Sequence, residues 1–342
     1  MKPIRKALTF RASSIGDCLM GKYLLENVYA EFPNARLGIV VAGRAAMVRD
    51  LFAVYSWLEV IEASRRNPRA LWNLWRQWRG SDLVVTQYAG KQGGIFSFAS
   101  KLAARVLARR GALIGFTDAS ALNHFLYSRL VPFDGAVAPA ELERRALLAA
   151  GVPVSLPYPT LRHISEPHTP ARYGLTAEKY VLVHLFSGSK KRGLSPANRC
   201  LLVNALSRAL PPHIDIILTG TGGEKAEATD AAEGTKAKIL AGQATLQEMM
   251  GLIEESRGVV AVDTGIAHIT AQLNKPLVVL SSCLGLHWWN KEQYGISAPI
   301  QRFNCSDPVC VAGHVSKDYP DCLNMINFAS VAEALRAMTA EK

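Results

Sequence analysis

The sequence predicts an α/β protein made of two Rossmann-like β/α/β domains, and three observations predict it. The 342 residues suffice for about two domains, each able to bury its own core. Short apolar runs alternate with helix-period segments along the chain, the pattern of strands covered on both faces and joined by crossover helices. The alternation stops at residues 151–170, where five prolines stand without a period, and then restarts. The domains are therefore placed at residues 1–165 and 166–342.

Each element follows from its residues. Residues 4–11 read as the first strand, and Ser13, Ser14, Ile15, Gly16 and Asp17 as the turn after it. Leu19, Leu24, Leu25, Val28 and Phe32 give the next helix an apolar face, and Pro33 with Asn34 ends it before a strand at 37–41. The turn has one glycine where a dinucleotide fingerprint needs three. What it offers is Asp17 at a strand's carboxyl end, either as a helix cap or as a general base.

Residues 65–80, RRNPRALWNLWRQWRG, set Trp72, Trp75 and Trp78 among Arg65, Arg66, Arg69, Arg76 and Arg79. On a helix Trp72 shares a face with Trp75, and Trp75 with Trp78. Such a basic, aromatic helix suits a membrane interface or a phosphorylated glycolipid. The plainer alternative is a domain helix with core tryptophans and solvated arginines. A strand at 82–86, a loop with Gly90, Gly93 and Gly94, a basic helix through Arg109 and Arg110, a strand at 112–115 and a helix at 139–150 complete the first half.

The second half opens with a strand at 180–185 and the loop Phe186, Ser187, Gly188, Ser189, Lys190, Lys191, Arg192, Gly193. Small residues and three cations after a strand suit a diphosphate, or else form a solvated surface loop. A helix at 196–210 leads to a strand at 214–218 and a loop at 219–223, with Glu224 behind it, placed to hold a ribose or to cap a helix. After a helix at 246–255 comes VVAVDTGIAHITAQLNKPLVVL at 259–280, the stretch the chain is arranged around. A buried strand ends at Asp263 and Thr264, either of which can cap the next helix. Gly265 admits a ligand close to the backbone, and His268 lies one turn in. Free N–H groups at such a helix start attract anions. The plainer alternative keeps Asp263 as a cap and His268 as a core histidine.

Hydrophobic residues make up 49% of the chain and charged residues 20%, a composition that excludes disorder. The formal charge of +11 points to an anionic partner: nucleic acid, a phosphorylated glycan or an anionic membrane. No apolar run reaches the roughly 18 residues of a membrane span. The N-terminal stretch lacks a signal-peptide core, so a cytoplasmic location is expected. Six cysteines do not make a secreted framework. Cys305, Cys310 and Cys322, with His314 between them, leave three readings: a tetrahedral metal site, a disulfide or free thiols.

Five segments in order carry a resemblance. SSIGD at 13–17, ELERRALLAAG at 141–151, SGSKKRGLSP at 187–196, LTGTGGE at 218–224 and VDTGIAHITAQLNKPLVVL at 262–280 resemble the ADP-heptose:lipopolysaccharide heptosyltransferases and their glycosyltransferase relatives. The resemblance implies the GT-B architecture, two Rossmann-like domains facing each other across a cleft. The first would meet the acceptor through Ser13, Ser14 and Gly16, the second would hold the nucleotide sugar, and the last helix would pack back on the first domain. It also implies an inverting, metal-independent transferase with Asp17 as the catalytic base. Ser187, Gly188, Lys191 (with Arg192 a close second), Glu224, Asp263, Thr264, Gly265 and His268 would bind the donor, expected to be ADP-heptose. No cofactor or metal is implied. The expected partners are the nucleotide sugar, an anionic glycolipid or glycan acceptor and a peripheral contact with the inner membrane, but no nucleic acid.

The chain departs from its relatives in three places, one being the histidine often seen just before the segment at 141–151, which is missing here, its place falling near Ala140. Where they often carry Lys-x-Trp-Pro it has Arg192, Gly193, Leu194, Ser195, Pro196. Where they have a glycine-containing turn it has Ser281, Ser282, Cys283, Leu284, Gly285 and then His287, Trp288, Trp289, residues placed to touch base or sugar. Two other functions stay open: a nucleotide-sugar epimerase or hydrolase of the same build, and a non-catalytic binder of polyanions or membranes.

Overall fold

A computed structural model describes residues 3–64, 67–88, 97–133, 136–164, 169–304 and 321–340. The chain forms two compact units, Met1–Pro159 and Thr160–Lys342. The first runs β1 (Lys6–Arg11), α1 (Ile15–Glu31), β2 (Arg36–Val41), α2 (Ala45–Leu51), β3 (Leu58–Glu62), α3 (Pro68–Trp78), β4 (Leu83–Thr86), α4 (Phe98–Leu107), β5 (Leu113–Phe116), α5 (Asn123–Leu126), β6 (Arg129–Val131) and α6 (Pro139–Ala150). Its strands form one parallel sheet in the order β3-β2-β1-β4-β5-β6. Side-chain caps start its helices where the sequence supplies them. Ser14 caps α1, and Asn67 caps α3 with Pro68 in the first turn. Leu74 and Trp78 of α3 and Ala104 and Leu107 of α4 pack in one core with Leu8, Phe10 and Val84 of the sheet.

The second unit runs α7 (Thr169–Arg172), β7 (Tyr180–His184), α8 (Pro196–Ala209), β8 (Asp215–Thr219), α9 (Lys225–Ala232), β9 (Lys238–Ile239), α10 (Leu246–Glu254), β10 (Gly258–Val262), α11 (Gly265–Gln272), β11 (Leu277–Leu280), α12 (Lys291–Tyr294), β12 (Ile300–Phe303), α13 (Asp321–Asn324) and α14 (Phe328–Met338). Its sheet is also parallel, in the order β12-β11-β10-β7-β8-β9. Ser195 caps α8, and Thr245 with Glu248 forms a capping box on α10.

The last helix packs in the core of its own unit. Val331, Ala332 and Leu335 of α14 share a core with Leu202 and Leu206 of α8 and Val260 of β10, so its apolar stripe is used there. The sequence pattern gives no signal for β3, β6, β9 and β12. These are short strands, β3, β12, β6 and β9 lying at the sheet edges, and runs of two to five residues are too short to set a period.

Candidate functional site

The second unit gathers its polar side chains where the strand order reverses. From β7 the chain continues to β8 and β9 on one side, and β10 lies on the other. The loops leaving β7 and β10 therefore part at their carboxyl ends and open a crevice, the usual ligand position in an open parallel sheet. Residues 186–193 leave β7, and Asp263 and Thr264 leave β10.

Thr264 is the N-cap of α11, with extended backbone, yet its side chain makes no cap bond. Its Oγ1 is buried without a hydrogen-bond partner among the described residues, as is Ser282 Oγ just past the neighbouring β11. An unpaired buried hydroxyl costs about 1–3 kcal/mol, so atoms of this kind mark a place for a ligand or an ordered water. The first turn of α11 directs its unpaired N–H groups toward the same end. Arg192 adds positive charge, with Nη1 4.0 Å from Asp263 Oδ2. Lys191 is exposed. Between the two cations the structure brings Arg192, and not Lys191, to Asp263. Ser187 is half-buried and Gly188 exposed in the same loop.

Asp263 is turned inward. It is 2% exposed, accepts a hydrogen bond from Trp289 Nε1 at 3.1 Å and lies 3.6 Å from His268 Nε2. Burial raises its carboxyl above the usual range, against the pull of Arg192 and Trp289. Gly285 makes the room: a Cβ there would press on Asp263 Oδ2 inside van der Waals contact. His268 stacks on Trp289 with ring centroids 4.5 Å apart and planes 7° apart, and its Nδ1 pairs with Tyr294 Oη at 2.7 Å. Burial, helped by the charge on Arg192, pushes His268 down to about 3, and burial raises Tyr294. Both are therefore neutral in imidazole and phenol form. Nδ1 and Tyr294 Oη share one hydrogen bond, and Nε2 faces Asp263.

Glu224 sits in a capping box: its Oε2 accepts from Thr221 N at 2.7 Å and Thr221 Oγ1 at 2.9 Å. One carboxylate oxygen is thus a cap, and Oε1 takes no part in it. The small residues of this loop serve packing as well, since Gly242 N donates to Gly220 O at 2.9 Å. The sequence reading missed His184, half-buried at the end of β7. Its Nδ1 pairs with Thr219 Oγ1 at 3.0 Å, and burial pushes it down to about 4 against the charge of Glu224. The usable signal was a polar residue closing an apolar strand.

In the first unit Ser13, Ser14, Gly16 and Asp17 follow β1, again where the strand order reverses, between β1 and β4. Ser14, the N-cap of α1, accepts from Asp17 N at 3.3 Å and donates to Asp17 Oδ2 at 2.5 Å. Asp17 is half-buried in the first turn and is not itself the N-cap. Close by, Arg11 and Glu143 form a two-pronged ion pair at 2.5 and 2.8 Å, both side chains wholly buried. Burial works against the Arg11 charge, Glu143 more than offsets it, and the field of Asp17 adds to the same effect, so the guanidinium lies above its ordinary value. Sequence reading missed this pair. Its signal was Glu143 falling on the apolar stripe of α6 with Ala146 and Leu147.

Cys305, Cys310, His314, Arg65, Arg66, Gly90, Gly93 and Gly94 lie outside the described residues. Cys322 is a free thiol buried in the second unit's core. Among the described residues no cluster of His, Cys, Asp and Glu is arranged to hold a metal, and no helix is long and apolar enough to cross a membrane.

Residues 97–314, more than half of the chain, match the sequence profile of glycosyltransferase family 9 (heptosyltransferase). The chain belongs to this family. Solved structures share the fold of this family 9 glycosyltransferase. E. coli ADP-heptose lps heptosyltransferase II is 19% identical over 98% of each chain, with a TM-score of 0.71. A family 9 glycosyl transferase from Veillonella parvula is 14% identical over 99% of this chain and 98% of its own, with a TM-score of 0.74. E. coli heptosyltransferase WaaC with ADP is 16% identical over 97% of this chain and 99% of its own, with a TM-score of 0.67. At these identities the likeness shows the fold, the GT-B build of two Rossmann-like domains. Comparison with curated proteins finds no match. In the family 9 member described here, Arg192, Asp263, Thr264 and His268 come together in the second unit, and Ser14, Gly16 and Asp17 in the first.

Proposed function

We propose that the protein is an inverting, metal-independent glycosyltransferase that moves a heptose from ADP-heptose to a lipopolysaccharide core or another anionic bacterial surface glycan. The observation that carries the donor half is the unpaired, buried Thr264 hydroxyl at the N-terminus of α11 with the Arg192 guanidinium beside Asp263. Backbone N–H groups, a hydroxyl and a cation are the donors a diphosphate requires. Glu224 Oε1 takes a ribose hydroxyl. Ser187, Gly188 and Gly265 let the phosphates approach the backbone, and Lys191 contributes charge at longer range.

In the reaction the acceptor hydroxyl gives its proton to Asp17 as its oxygen attacks the anomeric carbon. The bond from that carbon to the phosphate oxygen breaks, ADP leaves, and the anomeric configuration inverts. Protonated Asp17 then returns its proton to water. Charge grows on the leaving phosphate, where the start of α11 and Arg192 stabilise it without reorganisation. Ser14 orients Asp17 by donating to Oδ2. Ser13 and Gly16 shape that side.

The test is thermal melting with ADP, GDP, UDP, CDP and dTDP in turn, with and without magnesium. At about 100 times its dissociation constant ADP adds roughly 2.7 kcal/mol, and the shift is the same with magnesium. Arg192→Ala weakens ADP by about tenfold or more. Asp17→Ala keeps the ADP shift and loses transfer by about 100-fold or more. Protection by a different nucleotide replaces the sugar donor, and no shift with any of the five sinks the donor site.

A further inference from the structure

The chemistry above leaves one buried charged pair of the first unit unused. Arg11 closes β1, and its Nε donates to Thr9 Oγ1 at 2.8 Å, Nη1 to Glu143 Oε1 at 2.5 Å and Nη2 to Glu143 Oε2 at 2.8 Å. Thr9 in turn donates to Val85 O of β4 at 3.1 Å. Both charged side chains are wholly buried. Breaking such a pair strands a charge away from water, yet an apolar pair of similar volume is often as stable. Stability alone therefore does not call for an arginine and a glutamate here, and their surroundings supply another reason.

The stem of Arg11 runs beneath the start of α1. A Cβ on Gly21 would stand 2.9 Å from both Cγ and Nε of Arg11, and Gly21 follows Asp17 by one turn on the same face of the helix. Cys18 Sγ donates to Ala12 O at 3.4 Å in the same turn. Among the described residues, the titratable groups around Asp17 are Cys18 on α1, Arg11 on β1 and Glu143 on α6, and the charge of Asp17 reaches all three. Tyr88, after β4, faces Arg11. Burial pushes the Cys18 thiol up to about 12, so it stays neutral. An unbalanced guanidinium in this place would draw the Asp17 carboxylate to itself and weaken it as a base. Glu143 prevents this by engaging both terminal nitrogens of Arg11 and balancing its charge. With Asp17 as the base, the reading on which this rests, we propose that Glu143 is a positioning residue for the transfer reaction, holding the Arg11 guanidinium off Asp17 so that Asp17 stays free to take the acceptor's proton.

The test reads Asp17 directly, by NMR titration of the aspartate carboxyl groups in the full chain without donor or acceptor, with Asp17→Asn marking its resonance. Glu143→Gln lowers the Asp17 midpoint by about one pH unit, because the unbalanced guanidinium favours the carboxylate. The double variant R11M/E143L returns the midpoint to the wild-type value, since both charges leave together. Glu143→Asp keeps the charge but is too short to span both terminal nitrogens, so it lowers the midpoint by less, and it serves where Glu143→Gln does not fold. In transfer from ADP-heptose to a lipopolysaccharide core, kcat of Glu143→Gln falls by about tenfold with donor KM unchanged, and R11M/E143L recovers it to within about threefold. A role in packing alone would lower the melting temperature of the single variants and leave the Asp17 midpoint in place, which overturns the proposal. A lowered midpoint that the double variant does not reverse, or that leaves kcat unchanged, overturns it as well. Full transfer by Asp17→Ala would instead remove the base itself, and the role of Glu143 with it.

Discussion

Asp263 is the residue at which pattern and structure part most clearly. The sequence leads one to expect it beside a diphosphate, and its backbone joins the end of β10 to the start of α11. Its side chain, however, faces inward, where Trp289 donates to Oδ1 and Arg192 approaches Oδ2. Trp289 was expected to touch base or sugar. It is 4% exposed and holds both Asp263 and the ring of His268. A hydrogen bond to a buried carboxylate is worth about 1.5–3 kcal/mol, so Trp289→Phe should lower stability by about 2 kcal/mol in urea unfolding. It should also raise the donor KM while leaving acceptor KM unchanged. An unaltered donor KM would show that Asp263 needs no such support. Asp17 and Thr264, candidates from the sequence, lie in short motifs beside strand ends. Arg11 with Glu143, 132 positions apart, and Trp289 with Asp263, 26 apart, are not legible, because nothing local links them.

At the scale of elements, the loop at 219–223, which looks like a ligand binder, is first of all a packing device. Gly242 has φ +77, and a Cβ on it would stand 2.5 Å from Gly222 Cα and 2.9 Å from Gly222 N. The loop 219–223 can therefore lie against the loop after β9 at backbone distance, which fixes where Glu224 begins α9. Gly242→Ala meets both a left-handed backbone and a backbone clash, so it should destabilise by at least about 2 kcal/mol. ADP affinity should fall with it through Glu224. Chemical denaturation with and without ADP checks both effects, and a change under about 0.5 kcal/mol, the scale of an ordinary surface substitution, would mean the loop relaxes freely. The helices α1, α6, α8 and α11 were readable because proline, capping residues and terminal glycine punctuate them. The edge strands were not, because pairing with a neighbour, more than their own pattern, makes them strands.

For the whole molecule, pH sets a difference between the two units. His268 and His184 are neutral and pushed down to about 3 and about 4 in the second unit. The unfolded chain takes up these protons below about pH 6.5, and the folded chain resists until its own lower values are reached. Stability is thus full above pH 6.5 and falls as pH drops, by about 2 kcal/mol at pH 5 from His268 alone. Asp263, raised by burial, works the other way and offsets part of the loss. Melting at pH 7.5, 6 and 5 should show this fall in the wild type and a flatter profile in His268→Gln, and equal slopes would assign the acid sensitivity elsewhere. Local periodicity and caps encode the α/β class, the order of most elements and the strand-end motifs, so these are readable from the residues alone. The assembled fold adds the strand order that makes β7 and β10 neighbours, the approach of Arg192 to Asp263, the inward turn of Asp263 and the packing of α14 in its own unit's core. Each of these depends on which distant surfaces bury one another, and burial is a property of the assembled chain.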